Sequence, residues 1–79
     1  MEVYIELSDS SYVYRILDYF RESKTNVTYM EVMRPKYDSQ NQTQQVALIL
    51  SLLLPKRRVH YDVLSKLNEI DYVVFAEEV

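Results

Sequence analysis

Met1 to Leu7 alternates, with Val3, Ile5 and Leu7 on one side and Glu2, Tyr4 and Glu6 on the other. A period of two marks a strand buried on one face. Ser8, Asp9, Ser10 and Ser11 then offer side-chain oxygens for a helix N-cap. Val13, Ile16, Leu17 and Phe20 follow at helical spacing, which predicts a first helix from about Ser10 to Ser23. Asn26 to Arg34 is rich in β-branched and aromatic residues and predicts a second strand. Thr28, Met30 and Val32 alternate there with Tyr29, Glu31 and Met33, and either set can face inward. After Pro35, Lys36 to Thr43 is polar apart from Tyr37, and Asp38, Ser39 and Asn41 supply turn residues. Gln44 to Leu54 predicts a strand apolar on both faces: Val46, Leu48, Leu50, Leu52 and Leu54 on one, Ala47, Ile49, Ser51 and Leu53 on the other. Such a strand belongs in the middle of its sheet. Pro55 stops it. Val59, Val63, Leu64, Leu67 and Ile70 mark a second helix to about Ile70, and Tyr72 to Val79 closes the chain as a strand.

Each half of the chain therefore reads strand, helix, strand. That order within a single domain, 1–79, is the split βαβ pattern of the α+β, ferredoxin-like fold. Right-handed crossovers place both helices on one face of a four-stranded antiparallel sheet, with the first and third strands central. The doubly apolar strand is the third, which agrees.

Composition removes several kinds of chemistry. The 79 residues include no glycine and no cysteine, where an average chain of this length has about five or six glycines. Phosphate loops and dinucleotide fingerprints need glycine for close backbone approach or positive φ. Without cysteine there are no disulfides, thiolate zinc sites or CxxC motifs, and the single His60 cannot make a multi-histidine site. The longest apolar run, Val46 to Leu54 interrupted by Ser51, falls short of the roughly 20 residues of a membrane span. A net charge of −3 gives no electrostatic reason to expect nucleic acid.

The sheet face turned away from the helices is then the informative surface. Tyr4, Ile49 and Leu53 are expected there, with Tyr29 and Met33 as further candidates, and Ile49 and Leu53 sit on a central strand where an apolar patch can be contiguous. We expect a protein partner, or a second copy of the chain, on this face. Eight tyrosines suggest base stacking, but Ala47, Ile49, Ser51 and Leu53 include no aromatic, and Glu2 and Glu6 beside Tyr4 repel phosphate. Lys56, Arg57 and Arg58 fall at the start of the second helix, where the helix dipole disfavours positive charge. A solvated helix start accounts for them, with an anion contact as the sharper alternative. Glu2, Glu6, Asp71, Glu77 and Glu78 come from neighbouring strands and their flanks. Convergence would suit magnesium or calcium, whereas charge on a sheet edge also discourages edge-to-edge pairing. His60, on the second helix beside Val63 and Leu64, has no partner at a catalytic spacing, and Ser10 and Ser11 are read as capping residues. No enzyme activity, cofactor or metal site is expected.

The stretch LILSLLLPKRRVHYDVLSKLNEIDYVVFAEEV, Leu48 to Val79, resembles the end of ACT-like domains: an apolar strand closing in Leu-Pro, a helix of form xVLxxLxxI, and a short strand ending in Glu. YIELSDSSYVYRILDYFRESKTNVTYMEVMRP fits the first half. Among such domains the chain looks most like the cytoplasmic C-terminal domain of MgtC/SapB-type membrane proteins. The resemblance implies a regulatory or interaction domain whose parent sits in the bacterial cell membrane and is linked to magnesium homeostasis or virulence. With strands expected from Glu2 and up to Val79, an excised module is the expectation, and a free-standing small protein is the alternative. ACT domains that bind amino acids carry glycine in the turn matching Ser8 to Ser11, and side chains stand there here. A small-ligand sensor, its pocket at a subunit interface near Ser8 to Ser11, is therefore the second expectation.

Overall fold

A computed structural model describes residues 1–33 and 45–79; the predicted Lys36–Thr43 connection, with Arg34 and Gln44 beside it, lies outside the described residues. Strand β1 (Glu2–Leu7) lies between β3 (Val46–Leu53) and β4 (Val73–Glu78), and β2 (Asn26–Met33) pairs with β3 on its other side. The sheet order is β2-β3-β1-β4, and every pairing is antiparallel. Helices α1 (Val13–Glu22) and α2 (His60–Asn68) complete the ferredoxin-like βαββαβ arrangement. As expected, the first and third strands are central. No helix among the described residues is long and apolar enough to cross a membrane.

The core is the sheet face covered by the helices. Val3, Ile5 and Leu7 of β1 interleave with Val46, Leu48, Leu50 and Leu52 of β3, and all are buried. Each helix closes this layer with two buried residues, Ile16 and Phe20 from α1, Val63 and Leu67 from α2. Those spacings of four residues put each pair on one stripe of its helix.

Both edge strands carry a register shift. Between Val27 and Tyr29 the pairing of β2 with β3 skips Thr28; between Val73 and Phe75 the pairing of β4 with β1 skips Val74. The bulge at Thr28 decides which way β2 faces. Val27, Met30 and Val32 pair with the inward residues Leu52, Leu50 and Leu48, while Tyr29, Glu31 and Met33 face outward. A bulge inserts one unpaired residue and breaks the strict alternation, which is why Thr28 does not share a face with Met30 and Val32.

Without glycine, two turns use left-handed residues that carry a side chain: Lys24 at φ 59° and Arg57 at φ 71°. At the end of α1, the Thr25 N–H donates to the Phe20 carbonyl (2.8 Å) and the Lys24 N–H to the Arg21 carbonyl (3.1 Å). This is a Schellman cap, with lysine where glycine is usual. Lys24→Gly is expected to stabilise the domain by about 0.5–1 kcal/mol, since relief of the left-handed strain outweighs the extra entropy of unfolded glycine. In a chain of this size that raises the thermal midpoint by roughly 2–8 °C. A midpoint that stays put or falls, read by circular dichroism, contradicts the strain.

The start of α2 differs from the sequence expectation. Lys56, Arg57 and Arg58 do not begin the helix; they form a turn closed by the Arg58 N–H donating to the Pro55 carbonyl (3.3 Å), and the helix begins at His60. Arg57, the third residue of this turn at φ 71°, occupies the position where type II turns favour glycine. At the start of the first helix, Asp9 is the capping residue. Its carboxylate accepts from the Ser11 hydroxyl (2.6 Å) and opens a single 3-10 turn, Ser10–Tyr12, ahead of α1.

Candidate functional site

The outward sheet face is laid out by the pairing register in rows across the strands. One row reads Glu31, Ile49, Tyr4, Glu77 from β2 to β4, and the next reads Met33, Ala47, Glu6, Phe75. Tyr4 and Ile49 are thus direct cross-strand partners at the centre. Leu53 lies four residues along β3 from Ile49, on the same face, and is 61% exposed. All three residues expected on this face are there, joined by Tyr29 and Met33. Phe75 joins them, its ring centroid 6.4 Å from that of Tyr4. Phe75 was not anticipated, because its direction depends on the bulge at Val74.

Carboxylates stand around the apolar centre. Glu2 and Glu6 flank Tyr4 along β1, and Glu31 and Glu77 close the ends of its row. Three of these are engaged by neighbouring hydroxyls: Tyr4 Oη donates to Glu6 Oε1 (2.7 Å), Tyr29 Oη to Glu31 Oε2 (3.2 Å) and Ser51 Oγ to Glu2 Oε1 (3.5 Å). The local field is negative. The hydrogen bond to Glu6 raises the Tyr4 phenol above its ordinary pKa, aided by burial and by the charges of Glu6 and Glu77. The charge of Glu31, ahead of its hydrogen bond, does the same to Tyr29. None of the four described strands contains Lys, Arg or His. Beside Tyr4 and Glu6 is a small depression of about 70 Å³ with Ala47 in its lining.

The acidic residues do not form the cluster that their strand order suggested. Glu78 pairs across from Val3, whose side chain is buried on the helix side, and its Oε2 meets His60 Nδ1 at 2.9 Å. Asp71 lies in the turn before β4. No group of three or more His, Asp or Glu among the described residues is placed to hold a metal ion. His60 accordingly ties the start of α2 to the end of β4.

A second concavity lies where β1 leads into α1. An open cleft of about 470 Å³ is lined by Ser8, Tyr12, Arg15, Ile70, Asp71 and Tyr72. The Ser8 N–H donates to the Tyr72 carbonyl (3.0 Å), joining the two turns that frame it. Tyr12 and Tyr72 stack with centroids 4.7 Å apart and planes 11° from parallel. The Arg15 guanidinium lies 5.8 Å and 6.0 Å from the two ring centroids, within cation–π range. Burial raises the Tyr72 phenol pKa, opposed by the charge of Arg15.

No family model, curated protein or solved structure matches this chain.

Proposed function

We propose that this chain is a non-catalytic interaction domain that holds a protein partner on the outward face of its sheet. The observation that carries the reading is the apolar group of Tyr4, Ile49 and Phe75, with the exposed Leu53 beyond Ser51 on the same strand as Ile49, on the one sheet face that no helix covers. Apolar area gathered on a central strand, rather than scattered, is what a docking surface presents. The resemblance to the cytoplasmic C-terminal domain of MgtC/SapB-type membrane proteins fits such a role. In that setting the domain serves the parent's part in magnesium homeostasis or virulence through contacts.

A photo-crosslinking residue in place of Leu53 tests docking in cells. A defined adduct is expected, identified by mass spectrometry and lost when Tyr4 and Ile49 are both changed to Ala in a chain that still folds. Equal capture from the helix-side position Tyr14, or none from position 53, counts against the reading.

The cleft beside Ser8 supports one alternative, a sensor of small zwitterions. Arg15 and Asp71 offer opposite charges across an aromatic wall, and the site sits at the turn that the ACT-like resemblance singles out. A thermal-shift screen with the proteinogenic amino acids separates the two readings. A ligand at a hundred times its Kd adds about 2.7 kcal/mol of stability, whereas the docking reading expects no shift.

A further inference from the structure

Four apolar residues of the outward face follow a diagonal across the sheet, crossed by Ser51 and Glu2 between Leu53 and Tyr4, with Tyr29 and Met33 on its β2 side. Leu53 lies at one end of β3, Ile49 and Tyr4 share a row on β3 and β1, and Phe75 lies one row further on β4. Six residue steps along the strands and two strand spacings make this diagonal about 20 Å long. An α-helix of about 14 residues covers the same length. Carboxylates surround its Tyr4 end: Glu2 lies on the diagonal beside Ser51, Glu77 stands on the β4 side, and Glu6 and Glu31 stand on the β2 side, following the rows of the pairing.

We propose that the occupant of this face is a basic amphipathic helix from a partner protein, its apolar stripe on Ile49, Tyr4 and Phe75 and its Lys or Arg residues on the carboxylates around them. This rests on the docking reading above and specifies the partner's chemistry. A second copy is the wrong occupant. A two-fold pairing of this face opposes one set of Glu2, Glu6, Glu31 and Glu77 to another, with no cation in any of the described strands to separate them. Like charges juxtaposed across an interface cost several kcal/mol, and interface centres are depleted in charge. A basic helix answers the same carboxylates with opposite charge and leaves the centre apolar.

Three probe peptides of one length test this: leucine and lysine at amphipathic helical spacing, the same residues scrambled, and the amphipathic pattern with glutamate replacing lysine. Binding is read by anisotropy and mapped by amide shifts on the intact chain, while sedimentation reports self-association. The amphipathic basic peptide is expected to bind, with shifts centred on Tyr4 and Ile49. The double variant Glu31→Lys/Glu77→Lys, changed only at exposed rim positions, should weaken it about tenfold or more, and the protein alone should sediment as a monomer.

Equal binding of the scrambled or acidic peptide overturns the proposal, as does a shift map centred elsewhere. A dimer abolished by Leu53→Asp also overturns it, yet sustains docking on this face by showing that the occupant is a second copy. If none of the peptides binds, the basic helix is wrong, and the crosslink from position 53 then decides separately whether the face docks a partner.

Discussion

Phe20→Ala is expected to remove about 3–5 kcal/mol of unfolding free energy, the usual loss for truncating a buried phenylalanine. The total for a chain of this length is about 4–12 kcal/mol, so the loss takes from about a quarter of the stability to all of it. The effect is large because α1 has only two fully buried side chains, Ile16 and Phe20. Phe20 is 1% exposed. Its backbone belongs to the same joint: the Phe20 carbonyl accepts the Thr25 N–H at 2.8 Å and the Ser23 hydroxyl at 3.0 Å, fixing the exit from α1 into β2. Loss of the ring therefore loosens both the helix on the sheet and the turn that starts the edge strand. Tyr14→Ala on the same helix is the control. Tyr14 is 78% exposed, and a surface change of that kind alters stability by about 0.5 kcal/mol or less. Urea titrations of the two variants, with similar slopes and widely separated midpoints, check both values. If Phe20→Ala matches Tyr14→Ala, the placement of α1 on the sheet is wrong.

The same contrast shows what local pattern can reveal. Phe20 and Ile16 were legible because helical spacing repeats along one short segment, and Val3, Ile5 and Leu7 because strand alternation does. The central position of β3 was legible from its two apolar faces. The orientation of β2 was not. Val27, Met30 and Val32 share a face only because Thr28 is an unpaired bulge, and a bulge is decided by the partner strand rather than by residues in sequence. Phe75 was missed for the same reason at Val74. Tyr4, Ile49 and Leu53 were found because they lie on the two central strands, where alternation is unbroken.

The carboxylates required more than sequence. Along the chain, Glu2, Glu6, Asp71, Glu77 and Glu78 looked like one acidic edge. The register separates Glu78, which meets His60, from Glu77, which stands opposite Tyr4, although the two are adjacent. It also brings in Glu31 from β2, opposite Ile49. The missing glycines had a similar outcome. They argue against phosphate loops, but the positive φ that glycine would supply is still required at Lys24 and Arg57. The fold thus carries local strain at two turns instead of avoiding such turns.

Asn68→Ala is expected to cost about 2 kcal/mol, although nothing in the helical pattern of α2 marks this residue. Its Nδ2 donates to the Leu64 carbonyl (2.9 Å) and the Ala76 carbonyl (3.0 Å), and its Oδ1 accepts the Ala76 N–H (3.0 Å). Ala76 stands opposite Ile5 in the β1–β4 ladder. Its N–H and C=O both go to Asn68, so they point away from β1 towards the open side of the edge strand. The carboxamide thus supplies there what another strand would, one donor and one acceptor. Ala76 is 5% exposed. Removing the carboxamide leaves two poorly solvated backbone groups, at about 1–3 kcal/mol each when water is excluded and less as water gains access. Hydrogen exchange gives the decisive reading: the Ala76 amide should lose protection in Asn68→Ala, while core amides of β3 change only with global stability. Asn68→Asp separates packing from hydrogen bonding, because the side chain is nearly the same size. A carboxylate still accepts the Ala76 N–H but faces two carbonyl oxygens with no proton to give. Those oxygens raise its folded-state pKa, so the lost stability returns as pH falls and the acid becomes protonated. If Asn68→Asp matches the parent at neutral pH, the donor half of the clamp contributes nothing to stability.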